Sequence, residues 1–140
     1  MENATIIGLD HKVVRHEYIP SKGYVFSCWT GEWADEKTMF EVVTKQAEVV
    51  RDNRCPYLLV DSTGYRGSTP KFQKWVNEVW SQMAYDYGLR HFAVVVPKDV
   101  FGSITIKQAF GEKLSSLINA QIFPDLKEAE NWLLAQQHKK

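Results

Sequence analysis

The sequence predicts an α/β domain in which a mixed β-sheet is packed with helices. Three observations carry this. Short, wholly apolar runs such as "YLLV" (57–60) mark strands buried on both faces. Alternating with them are longer segments whose apolar residues recur every three to four positions, the helical period. Pro and Gly fall between the periodic segments, where turns are expected.

The elements follow in chain order. "HKVVRHEYI" (11–19) and "GYVFSCWTG" (23–31) read as strands joined by "PSKG", whose turn residues imply an antiparallel hairpin. "DEKTMFEVVTKQAEVVRDN" (35–53) changes period: Phe40, Val43, Ala47 and Val50 share a helical face, and Asp35 is placed to cap it. "PYLLVD" (56–61) is the first buried strand. Thr69 and Pro70 then start a helix, since a hydroxyl caps well and proline suits the first turn. Phe72, Trp75, Val76, Val79, Trp80, Met83 and Tyr87 make its apolar stripe, and Gly88 ends it. "HFAVVVP" (91–97) is the second buried strand. "SITIKQAFGEKLSSLI" (103–118) is a helix weakened by Gly111. "AQIFP" (120–124) is a short strand. "DLKEAENWLLAQQ" (125–137) is a helix whose Asp125 and Glu128 have capping-box spacing.

Strands alternating with helices imply parallel pairing through right-handed crossovers. The expected architecture is a single domain over residues 1–140. It has a five-stranded mixed sheet, with an N-terminal antiparallel hairpin followed by parallel βα units, and four helices. "ATIIG" (4–8) is a candidate for an additional short edge strand.

Composition narrows the function classes. The chain has 140 residues, the size of one ordinary domain, and needs no metal or disulfide staple. Lys and Arg number 17 and Asp and Glu number 17, so net charge gives no reason to expect nucleic acid or an anionic membrane. Cys28 and Cys55 are far apart, sit beside apolar residues and read as buried, reduced thiols. No stretch resembles a signal peptide, and no apolar run approaches the ~20 residues that cross a bilayer. The expectation is a cytoplasmic protein with no integral membrane segment.

Motif chemistry is sparse. "DSTG" (61–64) lacks the second copy that an aspartic protease needs. Gly64 and Gly67 are too close together for a P-loop. No Gly-x-Ser-x-Gly elbow occurs. His11, His16, His91 and His138 have no partners at metal-ligand spacing, so no metal or cofactor is expected. Asp61, Ser62 and Thr63 read most simply as residues whose side chains bond the local turn. In open α/β sheets ligands bind beyond the carboxyl ends of the parallel strands. That rule nominates Trp29, Trp33, Asp61, Gly64, Tyr65, Arg66, Lys98 and Asp99 as binding-edge residues.

The element order, with "YLLVDSTG" (57–64), "RHFAVVVPKD" (90–99) and "QIFPDLKEAENWL" (121–133), resembles the STAS-like domains. The likeness is to their SpoIIAA-like branch, which is related to anti-sigma factor antagonists and to CRAL-TRIO lipid-exchange domains. It spans about His11 to Gln136. It implies a bacterial, non-enzymatic regulatory domain that acts by docking onto a protein partner. In the antagonists a kinase phosphorylates the second hydroxyl of an Asp-Ser-Ser-Gly motif. Laid onto Asp61-Ser62-Thr63-Gly64, this gives Thr63, or else Ser62, as phosphoacceptor. Here "YRGSTP" (65–70) separates the motif from the helix start. The CRAL-TRIO relationship implies an alternative, a small apolar ligand or lipid held between helices and sheet. A small enzyme of unspecified reaction is a further alternative, and the sequence is equally compatible with a homodimer.

Overall fold

Six strands form one sheet in the computed structural model, which describes residues 5–97 and 100–138. They are β1 (Ile6–Asp10), β2 (Val14–Ile19), β3 (Tyr24–Trp29), β4 (Tyr57–Asp61), β5 (His91–Val95) and β6 (Asn119–Phe123), and their order in space is their order in the chain. β1, β2 and β3 pair antiparallel, and β3 to β6 pair parallel. The α/β class and the mixed sheet stand as expected, but the strand count is corrected from five to six. The added strand is the one whose pattern is weakest, with Ile6 and Ile7 both exposed. Its register with β2 shifts between Ile7 and Leu9. Gly8, at that bulge, lies so close to the first helix that a Cβ there would stand 2.3 Å from Val49 Cγ2.

The helical segments are α1 (Glu36–Asp52), α2 (Pro70–Trp75), a π turn (Val76–Trp80), α3 (Ser81–Asp86), α4 (Val100–Ala109), α5 (Glu112–Leu117) and α6 (Leu126–Gln137). The four expected helices are therefore subdivided. The second carries the π turn between α2 and α3, and the third breaks before Gly111, the cap of α5. The expected starts are where the capping chemistry placed them. Asp35 Oδ1 accepts from Thr38 N at 2.8 Å, Thr69 Oγ1 from Phe72 N at 3.2 Å, and Asp125 Oδ1 from Glu128 N at 2.8 Å.

Strand alternation divides the core into two layers. Leu58, Val60, Phe92 and Val94 face the layer built by α1 to α5, where Val43, Val50, Trp80 and Leu114 are buried. Leu59, Ala93 and Val95 face the opposite side, where α6 covers them with Ala129 and Leu133. Complete burial of one such Leu or Val is worth about 1.5–3 kcal/mol. The parallel strands are thus fixed on both faces, and this holds their carboxyl ends in one rigid row.

Candidate functional site

The carboxyl ends of β3 and β4 are adjacent, and the loops that leave them, 30–35 and 62–69, interlock. Gly64 sits so close to the first loop that a Cβ would lie 2.8 Å from Trp29 O and 3.1 Å from Gly31 N. Only glycine permits that approach. Arg66 then reaches across: its Nε donates to Gly31 O at 2.6 Å, and its guanidinium carbon stands 5.4 Å from the Trp33 ring centroid. Trp29 meets Tyr65 edge to face at 5.0 Å. The first loop is itself pinned, because Thr30 donates to Val13 O through both N (2.9 Å) and Oγ1 (3.1 Å). Tyr65 is buried, and burial pushes its pKa up to about 12.

Asp61 builds the start of the second loop. Its Oδ1 accepts from Thr63 N at 3.0 Å and from Thr63 Oγ1 at 2.7 Å, an Asx turn. Tyr65 N closes the next turn onto Ser62 O at 2.9 Å. The two hydroxyls of the motif differ sharply. Ser62 has no exposed surface, and its Oγ has no hydrogen-bond partner among the described residues. Thr63 is half-buried and held by Asp61. Thr69, not Thr63, caps α2, so the motif does not sit at a helix N-terminus.

Where the loops run into α1 and α2, the two helix starts are tied together. Thr69 Oγ1 donates to Glu36 Oε2 at 2.7 Å, and Lys71 Nζ stands 3.7 Å from Glu36 Oε1. Between them lies a cleft of about 320 Å³. Met39 and Phe72 are at its base, Ala34 and Pro70 along it, and Trp33 at its mouth. A narrow extension of about 20 Å³ shares Trp33, Ala34, Met39 and Gly67 with it and reaches Arg66.

Six of the eight nominated edge residues are therefore placed at this edge. Trp29, Trp33, Gly64, Tyr65 and Arg66 form one connected group, and Asp61 braces the loop that carries three of them. Lys98 and Asp99 lie outside the described residues. The cleft residues Glu36, Met39, Thr69, Pro70 and Phe72 were not among the nominations. They come from the first turns of two helices, and their signal is that both helices start just beyond neighbouring parallel strands.

A second apolar cleft, of about 60 Å³, lies between sheet and helices and includes Trp29, Tyr65, Val76, Trp80 and Phe92. That is room for a few waters at about 10–15 Å³ each, and well short of the roughly 300 Å³ of small-ligand sites.

Nucleophile chemistry finds little footing. Burial raises the thiol pKa of Cys28, with Asp61 adding to the effect, and burial likewise raises that of Cys55. One serine–histidine pair escaped the sequence reading. His16 Nδ1 lies 2.7 Å from Ser27 Oγ, and the two residues face each other in the hairpin register. The pair is sealed in the core: His16 Nε2 donates to Val42 O at 2.8 Å, and Gln46 Nε2 donates to Ser27 Oγ at 2.9 Å. His16, Ser27 and Gln46 are all buried, so the group braces α1 against the hairpin. The "PSKG" turn contained the signal, since it fixes which residues of the hairpin oppose one another. Among the described residues no group of three or more His, Cys, Asp or Glu is arranged to hold a metal ion. No helix among them is long and apolar enough to cross a membrane.

No family model matches the chain, and neither does any curated protein or solved structure.

Proposed function

We propose that the protein is a STAS-like regulatory domain that works by docking its loop edge onto a protein partner, without catalysing a reaction. The observation that carries this is Trp33. It is 66% exposed, and it stands on a loop braced by Gly64 and Arg66 rather than on a mobile tip. An exposed tryptophan beside an arginine has the composition of an interface hot spot, and bracing lowers the entropy lost on binding. The lipid-type alternative would need a large cavity between helices and sheet, and the 60 Å³ there does not favour it. The two hydroxyl–carboxylate pairs at the edge close a turn and join two helix starts, which suits a scaffold better than a catalytic pair.

Thr63 is the phosphoacceptor that fits this reading, because Ser62 has no exposed surface. A phosphate there adds roughly −1.5 to −2 charges. It would displace the 2.7 Å hydroxyl bond to Asp61 and, by repelling that carboxylate, weaken the 3.0 Å Thr63 N–Asp61 Oδ1 bond that closes the turn. The turn would open, Gly64 and Arg66 would lose their seats, and the partner would be released.

The test is affinity capture from native cells with the wild-type chain and with Trp33→Ala and Thr63→Glu. A partner retained by the wild type and depleted at least several-fold with both variants supports the proposal. Identical capture by wild type and Trp33→Ala, with both proteins folded by circular dichroism, overturns it.

A further inference from the structure

The cleft beside Trp33 has a shape and a charge pattern that specify more than a flat contact. Its base is apolar, formed by the buried Met39 and Phe72, and its volume of about 320 Å³ has room for a large side chain and part of the segment that carries it. Its charged neighbours differ in how far they are already paired. Glu36 is already occupied by the Thr69 hydroxyl and by Lys71. Through the narrow extension, which Glu32 also lines, the cleft reaches Arg66, whose Nε is spent on Gly31 O and whose guanidinium carbon stands 5.4 Å from the Trp33 ring centroid. Among the described residues no carboxylate forms an ion pair with Arg66. The guanidinium is therefore positioned with its terminal nitrogens uncommitted to any acid of the chain. A fixed guanidinium fork is the donor geometry that a carboxylate accepts in two parallel bonds.

We infer that the cleft recognises an acidic–apolar segment of a partner protein. An aromatic or branched aliphatic side chain enters between Met39, Phe72 and Pro70, and an Asp or Glu within two residues of it meets Arg66. This rests on the docking reading and supplies the chemistry of the partner. Charge complementarity places the acid of the segment at Arg66, because the charges of Glu36 and Lys71 already answer each other.

The experiment is selection of a displayed library of random heptapeptides on the full chain. Affinities of the selected peptides are then measured by fluorescence anisotropy. The inference expects an acid beside an apolar anchor in the selected set. Arg66→Gln, and replacement of the peptide acid by its amide, should each weaken binding about tenfold, the range of a charge-assisted pair. Made together they should weaken it little further, since they remove the same contact. Arg66→Lys, which keeps the charge but loses the fork, should bind between wild type and Arg66→Gln. Peptides that need Trp33 but show no acidic preference, or that ignore Arg66→Gln, overturn the inference and leave docking at this edge intact. Selection of no peptide also overturns it. If Trp33→Ala in addition leaves capture from native cells unchanged, the docking reading fails with it.

Discussion

His16 shows how a single buried group can set the response of the whole chain to pH. Its neutral form is dictated by its neighbours. Val42 O can only accept, so Nε2 carries the proton, Nδ1 accepts from the Ser27 hydroxyl, and Ser27 Oγ accepts from Gln46. Burial pulls the imidazole down from 6.5 to about 4, and the Val42 bond offsets only part of that. The sign follows from proton counting. Between pH 6.5 and 4 the unfolded chain binds a proton at residue 16 that the folded chain does not, so stability falls as pH falls through that window. The whole window is worth about 3 kcal/mol, and the part from pH 7 to pH 4.8 about 2 kcal/mol. Urea unfolding at those two pH values checks it. His16→Gln should be less stable at pH 7 but should lose about 2 kcal/mol less than wild type on acidification. Parallel losses in the two proteins would mean that the imidazole titrates in solvent.

At the scale of elements, the π turn explains why helical periodicity misled in the segment after Thr69. A regular helix from Thr69 puts Val79 in the buried stripe. Instead Val79 is 46% exposed, and Ser81 and Ala84 are buried. The turn inserts one residue, marked by Ser81 N bonding Val76 O, and shifts the later face by about 100°. Trp80 stays inside on either count, and its Nε1 donates to Val43 O at 2.9 Å. The same turn supplies a cap to another helix. Asn77 Oδ1 accepts from Leu114 N at 3.0 Å, in the first turn of α5, whose own cap position is Gly111. Glycine is there because a Cβ would lie 2.5 Å from the Asn77 side chain. Asn77→Ala should therefore destabilise the protein by about 1 kcal/mol, the usual worth of an N-cap. Gly111→Ser alone should also destabilise it, by displacing Asn77. In the double variant the serine has both the space and the position to cap α5, so the two losses should not add. Thermal unfolding of the four proteins closes the cycle, and strictly additive losses would show that Asn77 does not act as a cap. Sequence reasoning could place this helix from Thr69, Pro70 and Gly88, because those signals are local. It could not see the π turn or the borrowed cap, because both arise from contact between helices.

For the molecule as a whole, the legible features were those fixed by pattern within a segment. The apolar runs at Leu58–Val60 and Phe92–Val95 declared strands buried twice over, and the rule of carboxyl ends gathered Trp29, Trp33 and Arg66 at one edge. The features that were not legible depend on distance between segments. β1 is a strand because it pairs with β2 and lies on α1, not because its own residues alternate cleanly. The cleft exists because two helix starts are neighbours. The two-layer plan also predicts which perturbations reach the site. Met39, Phe72 and Tyr65 belong to the layer of α1 to α5, whereas Leu133 and Ala129 of α6 pack on the opposite face of the sheet. Leu133 has no exposed surface, so Leu133→Ala leaves a cavity and should reduce stability by about 2–5 kcal/mol. The loop edge contacts none of that cavity, since Gly64, Arg66 and Trp33 are braced by β3, β4 and each other. Partner capture by Leu133→Ala, measured at a temperature where the variant is fully folded, should therefore equal that of wild type. Met39→Ala, of similar character but at the base of the cleft, should lose stability and capture together. If both variants lose capture equally while folded, the two layers are coupled through the sheet and the edge is not the independent platform that its bracing implies.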